Sequence, residues 1–196
     1  MLEFVMEIAL DLKPIVQWTD EAFAAVCQAN PDWSFELNVL GELLVVAPVG
    51  GESGWKENFI QAQLWNWDPN YEKGRGFSSQ TVFSLPNGAK RVPDAAWVRR
   101  DHWEALTSAQ QQGYLPLAPD FVIELRSPSD DLEPLRAKML EYLDNGVRLG
   151  WLLNPQDRQV EIYRVGRAVE ILEEPAQLFG ETVLPGFVFN TRQILT

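Results

Sequence analysis

At 196 residues, with 46% hydrophobic and 22% charged side chains, the chain has globular composition and enough length to bury one full core. Its net charge of −12 disfavours loose binding to a polyanion. Cys27 and His102 are the only residues of their kinds, which excludes a disulfide framework and counts against Cys/His zinc sites and a Ser-His-Asp triad. The lone thiol fits a reducing cytoplasm.

The opening stretch MLEFVMEIALDLKP carries Glu3, Glu7 and Asp11 and no basic leading region, so it does not read as a signal peptide. No apolar run is long enough to cross a membrane. Thr19 or Asp20 caps a predicted helix over 21–29, ended by Asn30-Pro31. Strands over 35–40 and 42–47 flank Gly41 as a hairpin. Residues 52–67 read as a helix with Phe59, Ile60, Leu64 and Trp67 on one core-facing side. Asp68-Pro69-Asn70 ends it.

Strands over 76–83 and 90–98 follow, joined at Leu85-Pro86-Asn87-Gly88, whose Asn-Gly pair signals a hairpin. Residues 100–112 read as a surface helix, with His102 on its solvent side. A strand over 121–126 closes in Ser127-Pro128-Ser129. Asp130 or Asp131 then caps a helix to about Asn145, stopped by Gly146. A short strand over 150–153, a pair over 160–165 and 169–173, and a C-terminal edge over 180–189 complete the chain. The predicted architecture is a single α/β (α+β) domain spanning 1–196, a mixed β-sheet flanked by helices on both faces.

The chemistry concentrates in DFVIELRSPSD, residues 120–130. Strand alternation puts Val122, Glu124 and Arg126 on one face and Phe121, Ile123 and Leu125 on the other. A second apolar strand carries Asp94 in RVPDAAWV. Taken singly, Pro-Asp also marks turns, and Glu124 with Arg126 also reads as a structural ion pair. Together, two acids and a cation on neighbouring core strands demand a compensating partner. Oxygen ligands point to Mg²⁺, Mn²⁺ or Ca²⁺. Lys90, Arg91, Arg99, Arg100, Arg126, Arg136 and Lys138 gather around these strands, which offsets part of the acidic total.

These residues resemble a known family. The Asp94…Glu124-x-Arg126 pattern is similar to the Asp…Glu-x-Lys pattern of the PD-(D/E)XK nuclease superfamily. The chain resembles more closely the Uma2 family, through GELLVVAPVGGESG (41–54), RVPDAAWVRRDHW (91–103), PDFVIELRSPSDDL (119–132), KMLEYLDNGVRLGWLLNP (138–155) and VLPGF (183–187). The resemblance implies a restriction-endonuclease-like fold and Mg²⁺- or Mn²⁺-dependent cleavage of DNA, with Asp94 and Glu124 as metal ligands. Arg126 stands at the superfamily's lysine position. Arginine cannot serve as a general base, but it can hold developing phosphoryl charge. Lys138 is then the lysine candidate, one step off the apolar stripe of its helix and equally readable as a solvated flank residue.

A third acid is expected from the preceding helix. Glu52 matches the family's Glu-x-Gly position and is preferred to Glu57, although a glutamate there also complements the helix dipole. Asn58 and Gln80 are further polar candidates for the cleft. A homodimer would let a single-site nuclease cut both strands. The second reading is a nuclease-fold protein that binds a partner without cutting, favoured by Arg126 and the acidic surface. A two-carboxylate glycosidase is disfavoured, because Arg126 beside Glu124 would deprotonate the acid such chemistry requires.

Overall fold

The computed structural model describes residues 8–46 and 48–196. Glu3 and Glu7 of the opening stretch and Ala47 of the second predicted strand therefore lie outside the described residues. The chain begins β1 (Ile8–Asp11), α1 (Asp20–Ala29), β2 (Ser34–Leu37), β3 (Glu42–Val46) and α2 (Gly51–Trp67). It continues through β4 (Gly74–Ser78), β5 (Phe83–Ser84), β6 (Lys90–Arg91), β7 (Ala95–Arg99), α3 (Arg100–Glu104) and α4 (Ser108–Gln112). It ends with β8 (Phe121–Leu125), α5 (Leu132–Asp144), β9 (Leu149–Asn154), β10 (Gln159–Arg164), β11 (Glu170–Glu173), β12 (Gln177–Phe179) and β13 (Val188–Asn190).

The principal sheet has the order β11-β10-β9-β8-β7-β4, antiparallel except where β8 runs parallel to β9. A parallel neighbour requires a crossover, and α5 supplies it. A second, antiparallel sheet has the order β1-β3-β2-β6-β5. The expected mixed sheet with helices on both faces is what the chain forms.

Alternation along the strands sorts the core. Ala95, Trp97, Ile123, Leu125 and Trp151 pack on one face of the principal sheet with Ile60 and Leu64 of α2. Ala96, Val98, Val122 and Leu152 pack on the other with Met139 and Tyr142 of α5. In the second sheet, Phe35, Leu37 and Leu43 pack with Phe23 of α1. Glu36, between Phe35 and Leu37, therefore points the opposite way.

Several elements differ from the sequence expectation. The strands expected over 76–83 and 90–98 each break in two, giving one bent hairpin divided between the sheets. Its base pairs β4 with β7 in the principal sheet, and its tip pairs β5 with β6 in the second. Val92-Pro93-Asp94 forms the break, since Pro93 has no N–H to continue a ladder. The Asn-Gly turn is present with Gly88 at φ 91°. The helix expected over 100–112 is two short helices, because Thr107 starts α4 with a capping box to Gln110. The C-terminal segment pairs β12 with β13 as a separate ribbon instead of extending the sheet. Strand β1 was not anticipated.

Candidate functional site

The β7–β8 register pairs Ala95 with Ile123 and Ala96 with Val122. Continued one step past the end of β7, it sets Asp94 opposite Glu124, on the α5 side of the sheet. Asp94 sits in the bend after Pro93 and is clamped from two directions. Its Oδ2 accepts the Leu125 N–H at 2.6 Å, and its backbone carbonyl accepts from Gln61 Nε2 at 2.9 Å. Gln61 also donates to the Phe77 carbonyl at 3.0 Å, so α2 ties both sides of the hairpin together there.

Glu124 is 3% exposed and points beneath α5. Its carboxylate accepts from the Tyr142 hydroxyl at 2.8 Å and from Lys138 Nζ at 3.1 Å. Lys138 also donates to Glu36 at 2.9 Å. Glu36 comes from the second sheet, is 2% exposed, and accepts from Arg91 at 2.8 Å and from the Val92 N–H at 2.8 Å. Arg91 in turn donates to Glu141. The cluster thus joins both sheets to α5.

The ionisation of these groups follows from their surroundings. Burial raises the pKa of Asp94 well above the usual carboxylate value, and the neighbouring Glu124 and Glu57 charges push it further. Burial also raises Glu124, and Glu36 adds to the effect, with Lys138 and Tyr142 offsetting only part of it. Burial opposes ionisation of Glu36 too, but Lys138 and Arg91 outweigh it and hold its pKa below normal. For Lys138, burial would favour the neutral amine, yet Glu124 and Glu36 together keep its pKa above the ordinary lysine value. Lys138 is therefore a fixed cation. Glu57, half-buried and accepting from the Ser79 hydroxyl at 2.9 Å, is raised by burial.

Asp94, Glu124 and Lys138, three of the five residues singled out by sequence, fall into this one cluster. Arg126 does not join them. Its backbone still follows β9, the N–H donating to the Leu153 carbonyl at 2.9 Å. The Arg126 guanidinium instead donates to the Asp130 carbonyl at 3.1 Å, Asn154 at 3.3 Å and Asp157 at 3.1 Å. Glu52 stands in the first turn of α2, 77% exposed and paired with Lys56 at 2.9 Å. The α2 acid whose charge acts on Asp94 is Glu57.

Sequence reasoning missed Glu36, Arg91, Glu141 and Tyr142 as members of the cluster. The carboxylate of Glu36 amid the apolar strand residues Phe35 and Leu37 was the available signal. His102 is exposed as expected, with Nδ1 3.0 Å from Asp120 Oδ2.

Among the described residues, no three or more His, Cys, Asp or Glu side chains converge as a metal cage. The donor chemistry nevertheless suits a hard divalent ion that takes one or two carboxylates and completes its shell with water and phosphate oxygens. Glu36, Glu57, Asp94, Glu124 and Glu141 place five acids in this region against two cations, Arg91 and Lys138. Asp94 Oδ1 accepts no hydrogen bond among the described residues.

A search of curated proteins returned no match. The fold is similar to that of a crystal structure described as a putative nuclease belonging to DUF820 from Anabaena variabilis ATCC 29413. The TM-score is 0.76 at 17% identity, over 91% of this chain and 98% of that one. Residues 20–192 match the profile of Uma2, described as "Putative restriction endonuclease", and the chain belongs to the Uma2 family.

Proposed function

We propose that the chain is a metal-dependent endonuclease that hydrolyses DNA phosphodiester bonds, with Mg²⁺ or Mn²⁺ held by Asp94 and Glu124. One observation carries this reading: two acids set opposite each other on one sheet face, in a buried cluster whose cations are fewer than its carboxylates. The ion, when bound, would acidify a water and stabilise phosphoryl charge. Tyr142 and Lys138 fix the Glu124 carboxylate, and the Leu125 N–H fixes that of Asp94. Lys138, held protonated, supplies positive charge and not a base. Glu57 takes the place proposed for Glu52 as third acid, and its raised pKa suits it to receive a proton from the attacking water. Arg126, engaged by Asp130, Asn154 and Asp157, is left out of the metal site in this reading.

The same reading takes residues 1–196 as one domain acting in the cytoplasm, and a homodimer as the unit that cuts both strands. The test is supercoiled plasmid incubated with the protein and Mg²⁺ or Mn²⁺. Nicking that EDTA blocks and Asp94→Ala abolishes is expected. No cleavage with any divalent ion, and tolerance of Asp94→Ala in partner binding, would favour the non-cutting interaction protein instead.

A further inference from the structure

Strand β4 borders the principal sheet and has a cavity on either side. One, of about 270 Å³, lies between β4 and α2 and is walled by Asn58, Gln61, Trp65, Tyr71, Gly76 and Trp97. The other, of about 220 Å³, shares Tyr71 and Gly74 with the first and adds Arg75, Arg100 and Trp103. Gln61 links the first cavity to the acid cluster, because its Nε2 spends its hydrogens on the Asp94 and Phe77 carbonyls. Its side-chain oxygen remains an acceptor.

Three features distinguish this edge. Trp97 is 3% exposed, yet its Nε1 has no hydrogen-bond partner among the described residues. A buried donor left unmatched is costly and calls for an acceptor. That edge of the ring is covered by Gly74, where an added Cβ would stand 2.6 Å from Trp97 Cε2, and Trp151 Nε1 in the core is unmatched likewise.

Gly76, paired with Trp97 across the strands, is the second feature. A Cβ at Gly74 would lie 2.3 Å from the Val98 carbonyl oxygen, so packing there requires glycine. A Cβ at Gly76 would meet nothing within 4 Å. Glycine inside a strand weakens it and marks a close approach by something else.

The third feature is Tyr71, a bulky residue in the left-handed region at φ 57°. Asp68 holds the loop in place, its buried carboxylate accepting the N–H groups of Glu72, Lys73 and Gly74 at 3.0, 2.9 and 3.1 Å. The Tyr71 ring is thereby set edge-on to Trp65, 5.0 Å between centroids, and lies 4.3 Å from the Arg75 guanidinium.

We propose that the β4–α2 cavity receives one unpaired base of a nucleic acid strand, and that Arg75 and Arg100 across β4 take an adjoining phosphate. The choice of ligand rests on the nuclease reading. A base brings flat faces for Trp65 and Tyr71 and donors for the Gln61 and Asn58 oxygens. The first cavity is smaller than the roughly 300–1,000 Å³ of sites for drug-sized ligands, which suits one base. Arg100 is paired with Glu104 on the exposed surface, and a phosphate would compete for it. Such a subsite also places cationic contacts locally on a chain of net charge −12.

The experiment titrates the protein, in EDTA, with a 5′-phosphorylated ten-residue oligothymidylate and with the same strand carrying abasic positions. Tryptophan fluorescence and anisotropy report binding. Wild type should favour the intact strand by about tenfold, the effect of one stacked base. Gly76→Leu, whose side chain fills the cavity, should erase that preference. Arg75→Ala should weaken both strands alike and reduce the salt slope by about one. Should Gly76→Leu not fold, Trp65→Ala, at a half-exposed ring, replaces it with the same expectation.

Equal affinity of wild type for both strands, no binding at all, or a preference surviving both Gly76→Leu and Trp65→Ala would overturn the proposal. Plasmid nicking by wild type in Mg²⁺ is measured separately. Base-dependent binding without nicking defeats the nuclease reading and leaves the subsite standing, and nicking without base-dependent binding does the reverse.

Discussion

The two ends of the buried charge cluster are built from the same residue types but balanced differently. At the Glu36 end, one carboxylate meets Arg91, Lys138 and the Val92 N–H, and its pKa falls below normal. At the Asp94 end, two carboxylates beside the charge of Glu57 have one backbone N–H, the Tyr142 hydroxyl and a shared lysine, and their pKa values rise. The first arrangement is complete as it stands. The second has more acids than cations to offset them, and burial there disfavours the charged carboxylate. Sequence composition alone cannot separate these cases, because both are acids in apolar strands.

The largest expected effect comes from removing the cation that the two ends share. Lys138→Met should destabilise the fold by about 3–5 kcal/mol, since it leaves Glu36 and Glu124 buried with one cation fewer. Urea unfolding measures it, and a loss under about 1 kcal/mol would mean that water already screens the cluster. Asp94→Asn should act in the opposite sense, raising the melting temperature of the metal-free protein at neutral pH while abolishing any gain from added Mg²⁺. A melting temperature that still rises with Mg²⁺ in this variant would place the ion elsewhere.

The pH dependence sharpens the same contrast. Asp94 and Glu124 have folded pKa values above their unfolded ones, so the folded state binds more protons in that window. Their contribution to stability therefore falls as pH rises from the ordinary carboxylate value through the raised one. Glu36 has a lowered folded pKa, so its contribution is present above the ordinary glutamate value and is lost as pH falls through the folded one. Melting temperature against pH in EDTA should show both limbs, and Asp94→Asn should flatten only the upper one.

Smaller effects test the helix proposed to supply the third acid. Glu57→Gln should lower nicking activity by about 10²-fold, in keeping with loss of a proton acceptor, and leave the protein folded. Glu52→Ala should change stability by no more than about 0.5 kcal/mol and leave activity intact. Reversal of this pair would return the role to Glu52.

Much of this was legible in the sequence, for physical reasons that also mark where legibility stops. The β8–α5–β9 unit was readable because an apolar strand, a Pro-Ser turn and a capped amphipathic helix are local signals. Asp94 and Glu124 stood out because charge in an apolar strand is expensive. Arg126 misled because the turns after β8 and β9 bring Asp130 and Asp157 to its guanidinium, partners that strand alternation does not reveal. Glu52 misled because the rotational phase of α2 against the sheet is set by Ile60 and Leu64 packing on Trp97, a contact between distant segments. The bend at Pro93 was written in the sequence, but its result, one hairpin serving two sheets, depends on partners brought by β2 and β8.

That shared hairpin makes the molecule hard to trim. A fragment starting at α2 would keep the whole principal sheet and the helices packed on it yet deprive β6 of its β2 neighbour, and Arg91 and Lys138 of Glu36. Versions shortened in this way are thus expected to fail by losing the counter-charge of the buried cluster before they lose its scaffold.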